Sequence, residues 1–283
     1  MHHDAGTEEQ KQRWLPGLAS GELIGAIAMT EPGAGSDLAG VRTTAKKDGD
    51  GYLINGQKTF ISNGSQANLI CVVTKTDTSA GNKGVSLMMV ETDKVEGFRR
   101  GRILDKVGCE AADTSELFFE DVRVSADNLL GGVEGKGFGQ LMAELPKERL
   151  IIALQSIYAI DEALAATIEY TKDRKLFGQT VMDFQNTQFK LAECKTLGTV
   201  TAVFVFHCLD LLLQGKLDNN MSAMAKLYAS ESQGKIIDEC LQLFGGYGYI
   251  NEYPIARLYR DARGQRLWGG TSEIMKVLIA RSL

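Results

Sequence analysis

Little in this chain of 283 residues belongs to metal or disulfide chemistry. Its three histidines, His2, His3 and His207, are too few and too dispersed to build a metal cluster, so no metal is expected. The five cysteines, Cys71, Cys109, Cys194, Cys208 and Cys240, are odd in number and form no CxxC pair. That argues against a disulfide framework or a zinc site and points to a reducing compartment. An excess of basic residues is missing too: the net charge is −5, so no nucleic-acid partner is expected. No uninterrupted run of eighteen apolar residues occurs, so no membrane span is expected. No signal or transit pattern is visible at the N-terminus. What is present is 44% hydrophobic residues, enough for a substantial core in one large domain or two modest ones.

The chain divides by pattern. Residues 8–18 (EEQKQRWLPGL) read as the end of a helix, stopped at Pro16 and Gly17. From about 22 to 122, short runs rich in Val, Ile, Thr and Phe alternate with Gly, Asp and Asn, the signature of a β domain built from hairpins. Asp48-Gly49, Asp50-Gly51 and Asn55-Gly56 mark turns. Beyond Gly131 the period becomes helical, with runs at 136–172, 185–214, 219–244 and 271–282. Gly215 and the pair Gly245-Gly246 close two of these runs. Four helical segments with short joints predict an antiparallel bundle. The fold class is therefore α+β and multidomain, an antiparallel β domain over 21–128 followed by an antiparallel four-helix bundle over 129–283.

The last forty residues carry the most information: QLFGGYGY (242–249), EYPIARLYRDAR (252–263) and WGGTSEIMK (268–276). Paired glycines suit a surface where backbone must approach a ligand closely, because only glycine lacks the Cβ that would stand in the way. GGYG follows a helix rather than a strand, so it is not a dinucleotide-binding fingerprint. Met142, Met221 and Met224 stand at helical spacings and read as core filler.

Together with TEPGAGSD (30–37), KTFISNG (58–64) and RKLFGQ (174–179), these segments resemble the acyl-CoA dehydrogenase family along nearly the whole chain, in family order and spacing. The resemblance implies FAD-dependent α,β-dehydrogenation of acyl-CoA thioesters, with electrons passed to electron-transferring flavoprotein. It also implies a homotetramer, a dimer of dimers with FAD at subunit interfaces, in bacterial cytoplasm or the mitochondrial matrix. Of the family's three parts, about a hundred residues of the N-terminal helical domain have no counterpart here, and residues 1–20 correspond to its remnant. An acyl-CoA oxidase-like flavoenzyme and a catalytically silent homologue are the alternatives.

Such a reaction needs a carboxylate base in a dry pocket, donors for the thioester oxygen and an acceptor for the β-hydride. Side chains cannot take a hydride, so the acceptor would be a cofactor, which the resemblance implies is a flavin. One family position for the base, before the GTS turn, is Gly269 here. The other, on the first bundle helix before an Arg, is Glu148 in ELPKERL, the arrangement of the long-chain and isovaleryl branches. Glu144, one turn earlier, is a rival, and Pro146 between them should bend or open the helix. By resemblance Ser36, Arg149, Gly269 and Gly270 face substrate, with the Gly269 N–H polarising the thioester carbonyl. Thr30, Ser36, Phe60 and Ser62 flank the flavin ring and its phosphate, Phe60 standing where the family often has Trp and Ser62 where it often has Thr. Arg174, Phe177 and Gln185 reach the neighbouring subunit's flavin. Gln242, Gly245 and Gly246 match the pyrophosphate turn, and Thr271 and Glu273 match the adenosine end.

Overall fold

The computed structural model describes residues 5–283; residues 1–4, with His2, His3 and the first part of the segment 1–20, lie outside the described residues. The described residues form two units, one of residues up to 106 with 110–144, the other of residues 107–109 with 145–283.

In the first unit, helix α1 (Glu8–Ser20) opens on a capping box. The Thr7 hydroxyl accepts from the Gln10 N–H, and the Gln10 side chain accepts from the Thr7 N–H. The helix runs past Pro16 and Gly17, where the sequence predicts its end, because a proline removes only one N–H from a helix that has one turn left. Gly21, at φ +83°, supplies the left-handed stop instead. Buried Gln10 fastens α1 to the β layer. Its amide donates to the carbonyls of Asp127 (2.8 Å) and Leu129 (2.7 Å), and its Oε1 accepts from the Gly131 N–H.

Seven strands make one sheet: β1 (Gly25–Ala28), β2 (Thr44–Asp48), β3 (Gly51–Ser62), β4 (Leu69–Lys75), β5 (Val85–Glu91), β6 (Phe98–Ile103) and β7 (Thr114–Ser125). Their order is β1-β4-β2-β3-β7-β6, with β5 also on β4. Hairpins account for β2/β3, β4/β5 and β6/β7. Two pairings are parallel: β1 along β4 over four residues, and β2 touching β4 at Thr44 and Lys75. The forty residues between β1 and β4 contain β2 and β3, a connection long enough to bring the chain back in the same direction. Every residue of β4 and β5 is buried. Their alternate side chains feed two cores: Ile70, Val72, Met88 and Val90 on one face, and Leu69, Cys71, Val73, Leu87 and Met89 with Trp14 on the other. Each such side chain contributes about 1.5–3 kcal/mol of apolar burial.

The second unit holds most of α2 (Gly137–Asp173), then α3 (Gln185–Leu213), α4 (Asn219–Leu243), α5 (Pro254–Gly264) and α6 (Ser272–Ala280). α2 is continuous through Pro146, which therefore does not open it. Leu150, Ala153 and Ile157 pack with Val205, Cys208, Ala225 and Ala229. Further along, Ile160, Ala163 and Leu164 pack with Leu191, Cys194, Ile236 and Ile237. The steps of three and four are those that keep one face of a helix inward. α5 makes five α-helices in place of the expected four. It starts with Pro254 at its first turn and buries Ile255, Ala256 and Ala262. α2 and α3 are each long and apolar enough to cross a membrane by length and composition, with 44% and 22% of the qualifying window buried. The buried part of that apolarity fills the two cores of this unit.

Candidate active site

Four predicted residues sit in the first unit. The TEPG segment closes on itself, with Glu31 and Ala34 exchanging both backbone hydrogen bonds. Its start is pinned to β3 by the Thr59 N–H donating to the Thr30 carbonyl (2.9 Å). Glu31 is the anchor. Its buried carboxylate accepts from the N–H groups of Arg42 (2.7 Å) and Thr43 (3.0 Å) and from Lys58 Nζ (2.8 Å). Lys58, also buried, donates to the Met29 carbonyl as well (3.0 Å). Burial pushes Glu31 up, but the Lys58 ammonium and its hydrogen bonds outweigh that and leave the carboxyl below its ordinary value. Burial pulls Lys58 down to about 8 against the attraction of Glu31.

One residue past this pair, the ladder between β3 and β7 slips: Lys58 faces Leu117 and Ile61 faces Ser115, leaving one extra residue on β3. This bulge puts Phe60 at φ +59°, a left-handed backbone that is rare for a bulky side chain, and leaves it 66% exposed. Ser62 and Ser36 are exposed, and Thr30 is half-buried. Bulges commonly re-aim a side chain beside a functional site, and here the side chain released from the sheet is an aromatic ring.

The other predicted residues belong to the second unit. Arg174, Phe177, Gln242, Gly245 and Gly246 come together in a cleft of about 800 Å³, walled also by Tyr170, Phe184 and Tyr247. Arg174 follows α2 directly, and its guanidinium lies 5.5 Å from the centre of the Tyr247 ring. Phe177 and Gly178, at φ +51° and +83°, are the two-residue turn between the short strands β8 (Lys175–Leu176) and β9 (Gln179–Thr180). Phe177 is 95% exposed. Gln185, the first residue of α3, stands beside the cleft-lining residues Phe184 and Asn186 without lining the cleft itself. Gly245, at φ +59°, ends α4. Thr271 and Glu273 are not in the cleft wall. Thr271 caps α6, its hydroxyl accepting from the Ile274 N–H (3.3 Å), and Glu273 is exposed in that helix's first turn.

Glu148 and Arg149 lie on α2, Glu148 half-buried and Arg149 buried. Arg149 donates to Asn219 Oδ1 (3.3 Å), while its Nε has no partner among the described residues. Burial pulls its pKa down and Glu148 pulls it back up. Gly269 and Gly270, at φ +64° and +92°, form the turn before α6. A Cβ at Gly269 would run into Ile152 Cδ1. Ile152 is four residues beyond Glu148, one turn along the same face of α2. Gln265 donates to Gln155 (3.3 Å) and ties the approach to this turn to α2 as well. The N–H groups of Gly269 and Gly270 have no acceptor among the described residues.

Residues 26–122 match the model of the acyl-CoA dehydrogenase middle domain, and residues 135–283 match that of the acyl-CoA dehydrogenase C-terminal domain. The chain belongs to the acyl-CoA dehydrogenase family. It is 52% identical over 280 residues to the mitochondrial long-chain specific acyl-CoA dehydrogenase of Mus musculus, covering 98% of this chain and 65% of that protein. The chain thus spans about two thirds of the length of this mitochondrial relative. The crystal structure of an acyl-CoA dehydrogenase from Geobacillus kaustophilus superposes with a TM-score of 0.96 at 50% identity, over 99% of this chain and 73% of that one. A chain in the solved structure of the electron transferring flavoprotein of Acidaminococcus fermentans matches at TM-score 0.94 and 40% identity, over 98% and 73%. Relatives are thus both mitochondrial and bacterial. Acyl-CoA dehydrogenases of this family are FAD flavoproteins. Each unit taken by itself offers groups that fit that cofactor: in the first, exposed Phe60 at positive φ presents an aromatic face, and in the second, the cleft lined by Arg174 and Phe177 sets a cation and a ring beside backbone without Cβ atoms.

Sequence reasoning did not single out Glu31, although it lies inside the TEPGAGSD motif, nor Lys58, Tyr170, Tyr247 or Lys226. A buried lysine carries no local signal that separates it from a solvated one.

Proposed function

We propose that this chain carries the α,β-dehydrogenation site for an acyl-CoA thioester, of long-chain or branched type, with Glu148 as the base. The observation that carries this reading is the placement of half-buried Glu148 one helical turn before Ile152, the side chain against which the Gly269 turn closes. A carboxylate and a backbone donor are thereby held on one short stretch of packing. The Gly269 N–H is the donor for the thioester oxygen and Glu148 takes the α-proton. Glycine at 269 removes the carboxylate that other members place there yet keeps the N–H, so the base moves to α2 without loss of the donor. Arg149 lies buried next to Glu148 in sequence, where its guanidinium anchors α2 to Asn219.

FAD, when bound, supplies the acceptor for the β-hydride. Thr30, Ser36, Phe60 and Ser62 hold its ring and phosphate side. Arg174, Phe177 and Gln185 would reach a neighbouring subunit's FAD, the planar fork of Arg174 suiting a pyrophosphate, while Gln242, Gly245 and Gly246 would form a pyrophosphate turn and Thr271 and Glu273 would meet the adenosine end. The cleft around Arg174, Gly245 and Gly246 supports this division. The exposed apolar residues of α3, Phe189, Val200, Val203 and Phe206, support a homotetramer. Electron-transferring flavoprotein is the proposed electron partner, and the long-chain substrate class rests on the 52% identity to the mouse protein.

The test is Glu148→Gln. The variant should purify yellow with FAD bound and lose turnover with acyl-CoA. Unchanged turnover removes Glu148 from the mechanism.

A further inference from the structure

α4 holds the glycine turn from below at two points five residues apart. At one, Glu231 Oε1 accepts from the Ser272 hydroxyl (2.7 Å), and its other oxygen pairs with Arg266 (2.7 Å). At the other, Lys226 Nζ donates to the carbonyl of Gly270 (2.7 Å). Lys226 is among the largest fully buried side chains of the chain. Burial draws its pKa down to about 8, with Glu231 and Glu273 supporting its charge and Arg149 opposing it. Among the described residues no carboxylate pairs with it directly; its hydrogen-bond acceptor is the backbone of the turn.

A buried ammonium aimed at a neutral carbonyl is a poor way to fill a core, since an apolar chain of the same length avoids the desolvation. What it does achieve is specific to this spot. Gly269 and Gly270 are consecutive residues at positive φ with no side chains to lock them, and such a pair pivots easily. Ile152 bounds the turn from α2, but it exerts no directional force. Lys226 supplies a short, charge-assisted hydrogen bond to the second glycine.

We propose that Lys226 is a positioning residue: by gripping the Gly270 carbonyl it fixes the Gly269–Gly270 turn so that its unpartnered N–H groups are preorganised donors for the oxygen of the acyl thioester. The inference rests on the reading of that turn given under Proposed function. Preorganised donors act on the transition state more than on the ground state, so loss of the grip lowers kcat more than it raises KM.

The experiment compares the wild type with Lys226→Met, which keeps the volume and removes the donor, and with Lys226→Gln, which keeps a donor and removes the charge. The infrared band of the thioester carbonyl of bound [1-13C]acyl-CoA is recorded in a Glu148→Gln background to prevent turnover. Hydrogen exchange of the peptide spanning residues 265–275 is followed in the free protein. Expected for Lys226→Met are a carbonyl band shifted back towards its value in water, kcat lower by roughly 10- to 100-fold with KM changed far less, faster exchange confined to that peptide, and unchanged FAD content. Lys226→Gln should fall between it and the wild type. Should Lys226→Met fail to fold, Lys226→Gln carries the same measurements. A folded variant with wild-type carbonyl band, kcat and exchange overturns the proposal. If Glu148→Gln still turns over, the base assignment falls, while the Lys226 comparison in wild-type Glu148 still decides the role of the lysine. If the wild type neither binds nor oxidises acyl-CoA, the functional reading fails and takes with it the role of the turn as a thioester donor, whatever the exchange data show.

Discussion

The ammonium of Lys58 lies 2.8 Å from Oε1 of Glu31, and both side chains are buried. The pair joins β3 to the loop that begins at Thr30, and its second contacts, to the Met29 carbonyl and the N–H groups of Arg42 and Thr43, leave neither partner relying on the ion pair alone. Removing one charge strands the other in a low-dielectric site. Lys58→Met should therefore destabilise the protein by about 3–5 kcal/mol, read from urea unfolding midpoints. The double variant Glu31→Gln/Lys58→Met should be more stable than Lys58→Met, because the glutamine oxygen still accepts from Arg42 and Thr43. A double variant less stable than the single one would remove the stranded carboxylate as the cause.

The same lysine gives stability a pH dependence. Its pKa is about 8 in the fold, against 10.5 for the unperturbed group. Below pH 8 both folded and unfolded chains carry the proton, and the group adds no slope. Between these two values the unfolded chain binds more protons, so the contribution of Lys58 to stability rises with pH. The stability gap between the wild type and Lys58→Met should widen from pH 8 to pH 10, measured by denaturant unfolding at fixed ionic strength. A gap that narrows over this range contradicts the depressed pKa.

Phe60 and its backbone conformation are set against each other. At φ +59° a glycine is comfortable and a phenylalanine is strained by about 1–3 kcal/mol. Phe60→Gly should leave the melting temperature unchanged or raise it, since an exposed ring contributes little packing. FAD affinity, followed by flavin fluorescence, should fall. A lower melting temperature with unaltered FAD binding would make Phe60 a structural residue.

Gly269 and Gly215 separate space from backbone. Both have positive φ, +64° and +67°, but a Cβ at Gly215 meets nothing within 4 Å whereas one at Gly269 meets Ile152. Gly215→Ala should cost about 1 kcal/mol from backbone strain alone. Gly269→Ala should cost more and also lower turnover, because the turn must shift. Melting temperature and acyl-CoA turnover of the two variants, compared side by side, check this; equal effects would show that the contact with Ile152 does not constrain the turn.

Much of the architecture was legible because it is local. Hydrophobic steps of three and four along α2, from Leu150 through Ala153 and Ile157 to Ile160 and Leu164, announce a packed helix face, and Asp48-Gly49 with Asp50-Gly51 announce the β2/β3 hairpin. α5 was legible in principle, from Pro254 at its first turn and the apolar step from Ile255 to Leu258 and Ala262. The end of α1 was misplaced because proline and glycine near a helix terminus signal a stop without fixing its position.

The sequence by itself determined the family, the periodicity of helix and strand, and which residues deserved attention, since each depends on neighbours a few positions apart. Only the tertiary structure decided that β1 runs parallel to β4, that Phe60 is thrown out of the sheet by a bulge, and that Lys58 and Lys226 are buried on Glu31 and on the Gly270 carbonyl. Those facts depend on where the chain returns after tens of residues. A lysine's desolvation is a property of everything that closes around it, and no local pattern encodes it.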